Sequence, residues 1–225
     1  LEKQINPRTK YIWVNFPSNP TGHVAHLSLL QQLVDMAHAH KILILYDNAY
    51  SEITFDGYVA PSILEIPGAF EVALELGSCS KMFSFAGFRI GWVAGNNSII
   101  AALKTMKSHM DSGLSRPLQQ LAAYAFIHPD HAWRQNMLAR YQANRDILVQ
   151  HFRGMGLTGT PPAGGLFVWA RIPATYRNAD EYSKWLLQEK QVAVTPGTAF
   201  GNNGTQYIRA NIATPLEHIN KYLPV

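Results

Sequence analysis

The stretch that decides the fold is Ile42-Leu43-Ile44-Leu45-Tyr46-Asp47. Its first five residues are all apolar, which is typical of a strand covered on both faces inside a parallel sheet rather than of a surface strand with alternating polarity. Asp47 ends the apolar run. Because ligands bind at the carboxyl ends of strands in open α/β sheets, Asp47 is a candidate ligand-binding residue as well as a candidate helix cap.

A helix and another strand precede this run. Apolar residues recur at helical spacing between residues 27 and 40, and residues 11–16 form a compact apolar run that a turn closes at Asn19-Pro20-Thr21-Gly22. A strand, a helix and a buried strand make a βαβ unit. Further strands are expected at residues 72–77 and 90–95, and further helices at 98–110 and 118–127. The pattern predicts an α/β fold with a mainly parallel sheet.

The character of the sequence changes after residue 130. Residues 131–153 have the pattern of one long helix, and its arginines, Arg145 among them, lie largely off the apolar face. That face is formed by Trp133, Met137, Tyr141, Leu148 and Phe152. Shorter segments follow, with strands expected at 166–172, 192–196 and 207–212 and a helix near 179–189. The sequence therefore predicts two domains, residues 1–130 and residues 131–225, of which the second joins a long linking helix to a smaller α+β domain.

Composition excludes several classes of protein. With 225 residues, 47% of them hydrophobic and 15% charged, the chain has enough apolar material for a folded core and shows no membrane-spanning stretch. The single cysteine, Cys79, excludes a disulfide scaffold and favours a reducing compartment, so we expect a cytoplasmic protein. A net charge of +4 without a basic stripe gives no sign of nucleic-acid binding. The histidines lack the neighbouring carboxylates or cysteines of a metal site, and no metal is expected.

A lysine and an arginine lie close together in the stretch Ser78-Cys79-Ser80-Lys81-Met82-Phe83-Ser84-Phe85-Ala86-Gly87-Phe88-Arg89-Ile90-Gly91. The lysine falls in a Ser-rich loop just after one predicted strand, and the arginine falls at the start of the next. Two cations and two hydroxyl groups can converge there on one anionic ligand, for which a phosphate group is suited. A lone lysine in a loop is otherwise a solvated surface residue, so this interpretation depends on the surrounding pattern.

Four segments, in chain order, resemble the signatures of class I/II pyridoxal-phosphate-dependent aminotransferases, which have fold type I. The segments are Asn19-Pro20-Thr21-Gly22, Asp47-Asn48-Ala49-Tyr50, Ser78-Cys79-Ser80-Lys81 with Arg89 beyond it, and Tyr207-Ile208-Arg209-Ala210-Asn211. The resemblance implies pyridoxal 5'-phosphate as the cofactor, and amino-group transfer between an amino acid and a 2-oxo acid. The branch that the sequence resembles most contains LL-diaminopimelate, aspartate and alanine aminotransferases.

The resemblance also implies a role for each site residue. Lys81 would bind the cofactor through a Schiff base and then move the proton of the substrate Cα. Asp47 would pair with the pyridine nitrogen and keep it protonated. The implied catalytic residues are Lys81, Asp47 and Tyr50.

The remaining implied contacts divide between cofactor and substrate. Asn19 and Tyr50 would donate hydrogen bonds to the phenolic oxygen of the ring. Ser78 and Arg89 would bind the phosphate group. Arg209 lies in an alternating, strand-like segment, where a guanidinium is a suitable fork for the α-carboxylate of the substrate, and Asn19 is assigned to substrate binding as well.

The resemblance covers essentially all of the chain, yet members of this family are considerably longer than 225 residues. It therefore implies the C-terminal portion of such a protein, with residues 1–130 belonging to the large cofactor-binding domain and residues 131–225 to the long helix and the small domain. We expect such a chain to be inactive alone and the full-length protein to be a homodimer. Two alternatives stay open. A pyridoxal-phosphate-dependent carbon–sulfur β-lyase would use the same residues, and a non-catalytic fragment would not bond to the cofactor.

Overall fold

The computed structural model describes residues 1–223, which divide into two compact units. The first unit contains Leu1–Pro17, Val24–Thr54 and Val59–Asp130. The second contains Ser18–His23, Phe55–Tyr58 and the chain from His131 onward. Each unit is therefore assembled from pieces that are not contiguous in the sequence, because two short early segments belong to the second unit.

A four-stranded sheet forms the centre of the first unit. Its strands, in spatial order, are β1 (Tyr11–Asn15), β2 (Leu43–Asp47), β3 (Ala73–Ser78) and β4 (Gly91–Gly95). The first three strands run parallel, and β4 runs antiparallel to β3. The prediction of an α/β fold with a mainly parallel sheet is confirmed.

The register of this sheet aligns the carboxyl ends of the parallel strands. Asn15 pairs with Asp47 across β1 and β2, and Asp47 pairs with Leu76 across β2 and β3. Ser78, the last residue of β3, pairs with Gly91 at the start of β4. The segments that leave β1, β2 and β3 therefore begin at one edge of the sheet, together with the segment that enters β4.

The helix α1 (Leu27–His40) packs on one face of the sheet. Its buried residues are Leu30, Leu33, Val34 and Ala37. They form one core cluster with Ile44 and Tyr46 of β2. Leu43 and Leu45 point to the other face and are only half-buried. The prediction that β2 is covered on both faces therefore holds fully for the face that carries Ile44 and Tyr46, which packs against α1, and only in part for the face that carries Leu43 and Leu45.

The remaining helices of the first unit are α2 (Ala69–Val72), α3 (Cys79–Met82), α4 (Asn97–Met110) and α5 (Arg116–Ile127). α3 lies within the segment predicted as a loop between β3 and β4, so that segment is partly helical. The two edge strands of the sheet present large apolar residues to solvent. Tyr11 and Trp13 on β1 are each 57% exposed, and Val93 on β4 is 40% exposed.

The second unit contains a three-stranded antiparallel sheet in the order β5 (Phe167–Arg171), β7 (Tyr207–Asn211), β6 (Thr195–Pro196). Its helices are α6 (His131–Gly154), α7 (Ala179–Lys190) and α8 (Leu216–Tyr222). The strand predicted at residues 192–196 is reduced to β6. The amide of Val192 donates to the carbonyl of Leu186 and so continues the end of α7 instead of joining the sheet.

The helix α6 buries most of its predicted apolar face, and one charged residue in addition. Met137, Tyr141, Leu148 and Phe152 are buried as predicted, whereas Trp133 is 39% exposed. Arg145 is only 3% exposed, so the prediction that it lies off the buried face is wrong. It is buried because the carboxylate of Asp56 and the carbonyl of Pro162 both accept hydrogen bonds from its guanidinium.

Candidate functional site

Asp47 ends β2 at the edge of the sheet where ligands bind in open α/β folds. Its backbone carbonyl accepts hydrogen bonds from the side-chain amide of Asn15 at 2.9 Å and from the amide of Phe16 at 3.1 Å. Its carboxylate accepts a hydrogen bond from the amide of Ala49 at 3.2 Å, which closes an Asx turn. The backbone carbonyl and the carboxylate of Asp47 are therefore both held by hydrogen bonds. The residue is half-buried at the sheet edge.

Tyr50 and Lys81 meet at this edge. Tyr50 follows Asp47 in the same turn and is only 7% exposed. The amine nitrogen Nζ of Lys81 lies 5.8 Å from the centroid of the Tyr50 ring, within the range of a cation–π contact. Lys81 lies in the short helix α3, not in the loop that the sequence predicted. The helix begins directly after β3, so the amine is held beside the turn that carries Asp47.

Ser78 and Arg89 flank the helix that carries Lys81. The hydroxyl of Ser78 accepts a hydrogen bond from the amide of Ser80 at 3.3 Å and caps α3. Arg89 has a φ of 56°, in the left-handed region, and its Nη1 donates to the carbonyl of Ala86 at 3.0 Å. Arg89 is exposed. Because Ser78 pairs with Gly91, the hydroxyl and the guanidinium belong to chain segments at the same edge as Asp47.

Cys79 lies between these residues in the sequence, and its side chain is buried. It is 1% exposed and belongs to a cluster with Ile90 and Ala122. Burial raises the pKa of its thiol above the usual value, which disfavours the thiolate that acts as a nucleophile. The interpretation of Cys79 as a small buried side chain agrees with this environment.

Arg209 and Asn19 are brought together within the second unit, although 190 positions separate them. Arg209 lies on β7, and its Nη1 donates to Oδ1 of Asn19 at 2.8 Å. Its Nη2 donates to the hydroxyl of Thr195 at 3.2 Å. Both acceptors are neutral oxygens, so these two bonds orient the guanidinium without neutralising it. The exposed Asn19 and the half-buried Arg209 can both reach a ligand.

Two aromatic rings hold the guanidinium of Arg209 from its sides. Its central carbon lies 4.2 Å from the ring centroid of Phe167 and 4.8 Å from that of Phe200. Sequence analysis missed these two residues and Thr195. Thr195 lies on β6 and pairs with Arg209 of β7 in the sheet.

The described residues contain neither a metal site nor a membrane helix. Within residues 1–223, no group of three or more His, Cys, Asp or Glu side chains is placed to hold a metal ion. Over the same range, no helix combines the length and the apolar character needed to cross a membrane.

Comparison with known proteins gives a consistent result. A family model described as aminotransferase class I and II matches residues 1–223. The chain is 40% identical over 221 residues to the LL-diaminopimelate aminotransferase of Dehalococcoides mccartyi strain CBDB1, covering 98% of this chain and 56% of that protein. The enzyme of the same name from Gloeobacter violaceus is 39% identical over the same length and share. The chain thus spans little more than half the length of these relatives.

Solved structures show the same relationship. An aromatic aminotransferase from Pyrococcus horikoshii superposes with a TM-score of 0.93 at 28% identity, over 99% of this chain and 60% of that chain. The apo structure of BacF from Bacillus subtilis superposes with a TM-score of 0.91 at 32% identity, over 98% of this chain and 57% of that chain. The architecture of both units is therefore found in proteins of this kind.

Proposed function

Because the chain belongs to the class I and II aminotransferase family, whose members use pyridoxal phosphate, we propose that it supplies the lysine-bearing part of an aminotransferase site. The reaction is the transfer of an amino group between an amino acid and a 2-oxo acid. The observation that supports this most directly is the meeting of Lys81 and Tyr50 beside Asp47, at the carboxyl edge of the parallel sheet.

The chemistry of the residues at this edge fits the cofactor. An amine is present for its aldehyde (Lys81), a carboxylate for its pyridine nitrogen (Asp47) and a phenol for its ring oxygen (Tyr50). A hydroxyl and a guanidinium, those of Ser78 and Arg89, are present for its phosphate. Every functional group that the cofactor must satisfy therefore has a partner of suitable charge and hydrogen-bonding character in the first unit.

Each of these residues of the first unit would then have a separate role in the reaction. When bound, the cofactor supplies an electron sink that allows the Cα–H bond of an amino acid to be broken. The amine of Lys81 would take the proton from Cα of the amino acid. In the second half of the transfer it would return a proton to Cα, where the 2-oxo acid becomes the new amino acid. The carboxylate of Asp47 would hold a proton at the ring nitrogen, and the hydroxyl of Tyr50 would donate to the ring oxygen. The turn that closes on the Asp47 carboxylate keeps both groups oriented.

Arg209 and Asn19 are proposed to bind the substrate carboxylate. Every amino acid and 2-oxo acid carries an α-carboxylate, and a guanidinium binds it through two parallel hydrogen bonds. The bonds to Asn19 and Thr195 and the contacts with the two rings fix the orientation of the Arg209 fork before a ligand arrives. The names of the relatives favour a diaminodicarboxylic acid such as LL-diaminopimelate as the amino acid. A homodimer and a cytoplasmic location remain predictions.

Borohydride trapping tests the role of Lys81. The purified chain is incubated with pyridoxal 5'-phosphate, reduced with borohydride, digested, and mapped by mass spectrometry. We expect the label on Lys81 in the wild type and in Lys104→Ala, which removes an exposed lysine of α4, and no label at this peptide in Lys81→Ala. A label that favours a different lysine would overturn the assignment.

A second measurement identifies the reaction. The full-length protein, loaded with the cofactor, is given an amino acid with and without a 2-oxo acid, and the products are analysed. Transfer predicts a new amino acid that forms only when the 2-oxo acid is present. Release of ammonia and pyruvate without an acceptor would instead identify a carbon–sulfur β-lyase on the same site.

A further inference from the structure

The strand β3 carries a buried carboxylate that the proposed reaction does not use. Glu75 lies in the otherwise apolar segment Ala73-Leu74-Glu75-Leu76 and is 4% exposed. Among the described residues it forms no ion pair. A buried carboxylate costs free energy unless hydrogen-bond donors compensate it, so its partners indicate what it does.

Three donors from outside β3 converge on this carboxylate. Its Oε1 accepts a hydrogen bond from Nδ2 of Asn48 at 3.0 Å. Its Oε2 accepts hydrogen bonds from the hydroxyl of Ser62 and from the amide of Ile63, the latter at 3.1 Å. The carboxylate therefore connects β3 to two separate segments, the turn after β2 and the turn at Ser62.

Asn48 directly follows Asp47 in the sequence, and its hydrogen bonds fix the turn after β2. It is 2% exposed, and its backbone amide donates to the carbonyl of Leu76 at 2.9 Å. Its carbonyl accepts from the amide of Ser51 at 3.1 Å. Its side-chain amide donates both to Glu75 and to the carbonyl of Pro61, at 3.3 Å, and these two acceptors fix the orientation of the amide. The path of the chain from Asp47 to Tyr50 therefore depends on where Asn48 is held.

We propose that Glu75 is a positioning residue of the site, which fixes the Asp47-Asn48-Ala49-Tyr50 segment through its hydrogen bond with Asn48. This inference rests on the proposed function, because only then do Asp47 and Tyr50 bind a cofactor ring. A carboxylate suits the role since both of its oxygens accept hydrogen bonds. A glutamine at this position would direct an NH₂ group toward at least one of the three donors.

The competing explanation is that Glu75 serves only the turn at Ser62. That turn is a capping box, in which Ser62 also accepts from the amide of Leu64 and Glu65 accepts from the amide of Ser62. If this were its whole role, Ser62→Ala and Glu75→Gln would loosen the same part of the chain, and the segment after β2 would be unaffected.

Hydrogen exchange measured by mass spectrometry separates the two explanations without any cofactor. The variants are Glu75→Gln, Ser62→Ala and Val34→Ala, the last of which makes a cavity in α1 and controls for general loss of stability. We expect Glu75→Gln to speed exchange of the amides at residues 48–51 about tenfold, the size expected from one hydrogen bond to a charged group. Ser62→Ala and Val34→Ala should leave these amides within about twofold of the wild type, after correction for their global stability.

The spectrum of the bound cofactor gives a second readout. The dissociation constant of pyridoxal 5'-phosphate should rise about tenfold in Glu75→Gln, with a shift in the pH midpoint of the visible absorbance band, and neither change should occur in Val34→Ala. If Glu75→Gln does not fold, Asn48→Ala, which leaves Glu75 with its other two donors, should give the same two effects. Equal behaviour of Glu75→Gln and Val34→Ala in both measurements would overturn the inference. A wild-type chain that binds no cofactor would count against the proposed function, and the exchange comparison would still decide the position of Glu75.

Discussion

The guanidinium of Arg145 forms a two-pronged ion pair with the carboxylate of Asp56. Nη1 lies 2.6 Å from Oδ2 and Nη2 lies 3.1 Å from Oδ1. The Arg145 side chain is 4% exposed, whereas that of Asp56 is 54% exposed. The same guanidinium also pairs with Asp146 and lies 5.0 Å from the ring centroid of Phe55. This pair fastens the Phe55–Tyr58 segment to α6 within the second unit.

Removal of the cation should destabilise the second unit. Arg145→Met keeps an apolar stem but leaves two carboxylates without their partner, and we expect the free energy of unfolding to fall by about 2 kcal/mol. This is less than the ~3–5 kcal/mol for a fully buried pair, because both carboxylates can be hydrated. Denaturation in urea measures the change. Arg140→Met, at an exposed position of the same helix, should stay within about 0.5 kcal/mol of the wild type, and equal losses in both variants would contradict the prediction.

The ion pair also predicts a dependence of stability on pH. The hydrogen bond from Arg145 lowers the pKa of Asp56 below its ordinary value. The folded chain therefore holds this proton less tightly than the unfolded chain. The stabilisation is fully present above the unfolded pKa, about 3.9, and is lost as the pH falls through the lower folded value.

Asp56→Asn isolates this effect. The difference in free energy of unfolding between wild type and variant should be constant from pH 7 to about pH 5 and should shrink below about pH 4. Urea titrations at intervals of half a pH unit measure it. A difference that keeps its full size down to pH 3 would show that the carboxylate charge does not contribute.

Gly77 marks a close contact inside the sheet of the first unit. It pairs with Trp92 across β3 and β4, and a Cβ atom at Gly77 would overlap the indole ring. We expect Gly77→Ala to lower the free energy of unfolding by about 2 kcal/mol, as overpacking in a core does. Gly87→Ala is the matched control, because nothing lies within 4 Å of a Cβ at that position. A neutral Gly77→Ala would mean that the ring moves freely aside.

Thr195 should affect substrate affinity through Arg209. Thr195→Val removes the hydroxyl that accepts from Nη2 and keeps the shape of the side chain. In the full-length protein we expect the KM values of the amino acid and of the 2-oxo acid to rise together, about fivefold, with kcat little changed, because both substrates present the same carboxylate. Thr195→Ser should restore the wild-type values. A fall in kcat without a change in KM would argue against a role in carboxylate binding.

Local pattern was enough to predict most elements of the fold. The helix at residues 27–40 has the predicted bounds because its apolar spacing stops where Lys41 adopts a left-handed conformation. The positions of Asp47 and Ser78 at neighbouring strand ends also follow from two strand-like segments that each end in a polar residue. Both features follow from residues that lie close together in the sequence. A single sequence is therefore enough to predict them.

The features that could not be predicted depend on partners far apart in the chain. Arg145 looks like any other arginine on α6 until Asp56, 89 positions earlier, is placed beside it. Glu75 looks like a solvated charge until Asn48 and Ser62 converge on it. In both cases burial of the charge follows from long-range hydrogen bonds, and hydrophobic periodicity carries no information about them.

The exposed edge strands have a consequence for handling the protein in solution. Within the described residues β1 and β4 each have one neighbour, and a free strand edge offers its N–H and C=O groups to strands of other molecules. Because β1 also exposes the aromatic residues Tyr11 and Trp13, we expect it to associate with other molecules more readily than β4. We expect the apparent molar mass measured by light scattering at fixed temperature to increase with protein concentration. Trp13→Lys should suppress this increase. Self-association of this chain would then be governed by the chemistry of two strand edges and not by its net charge.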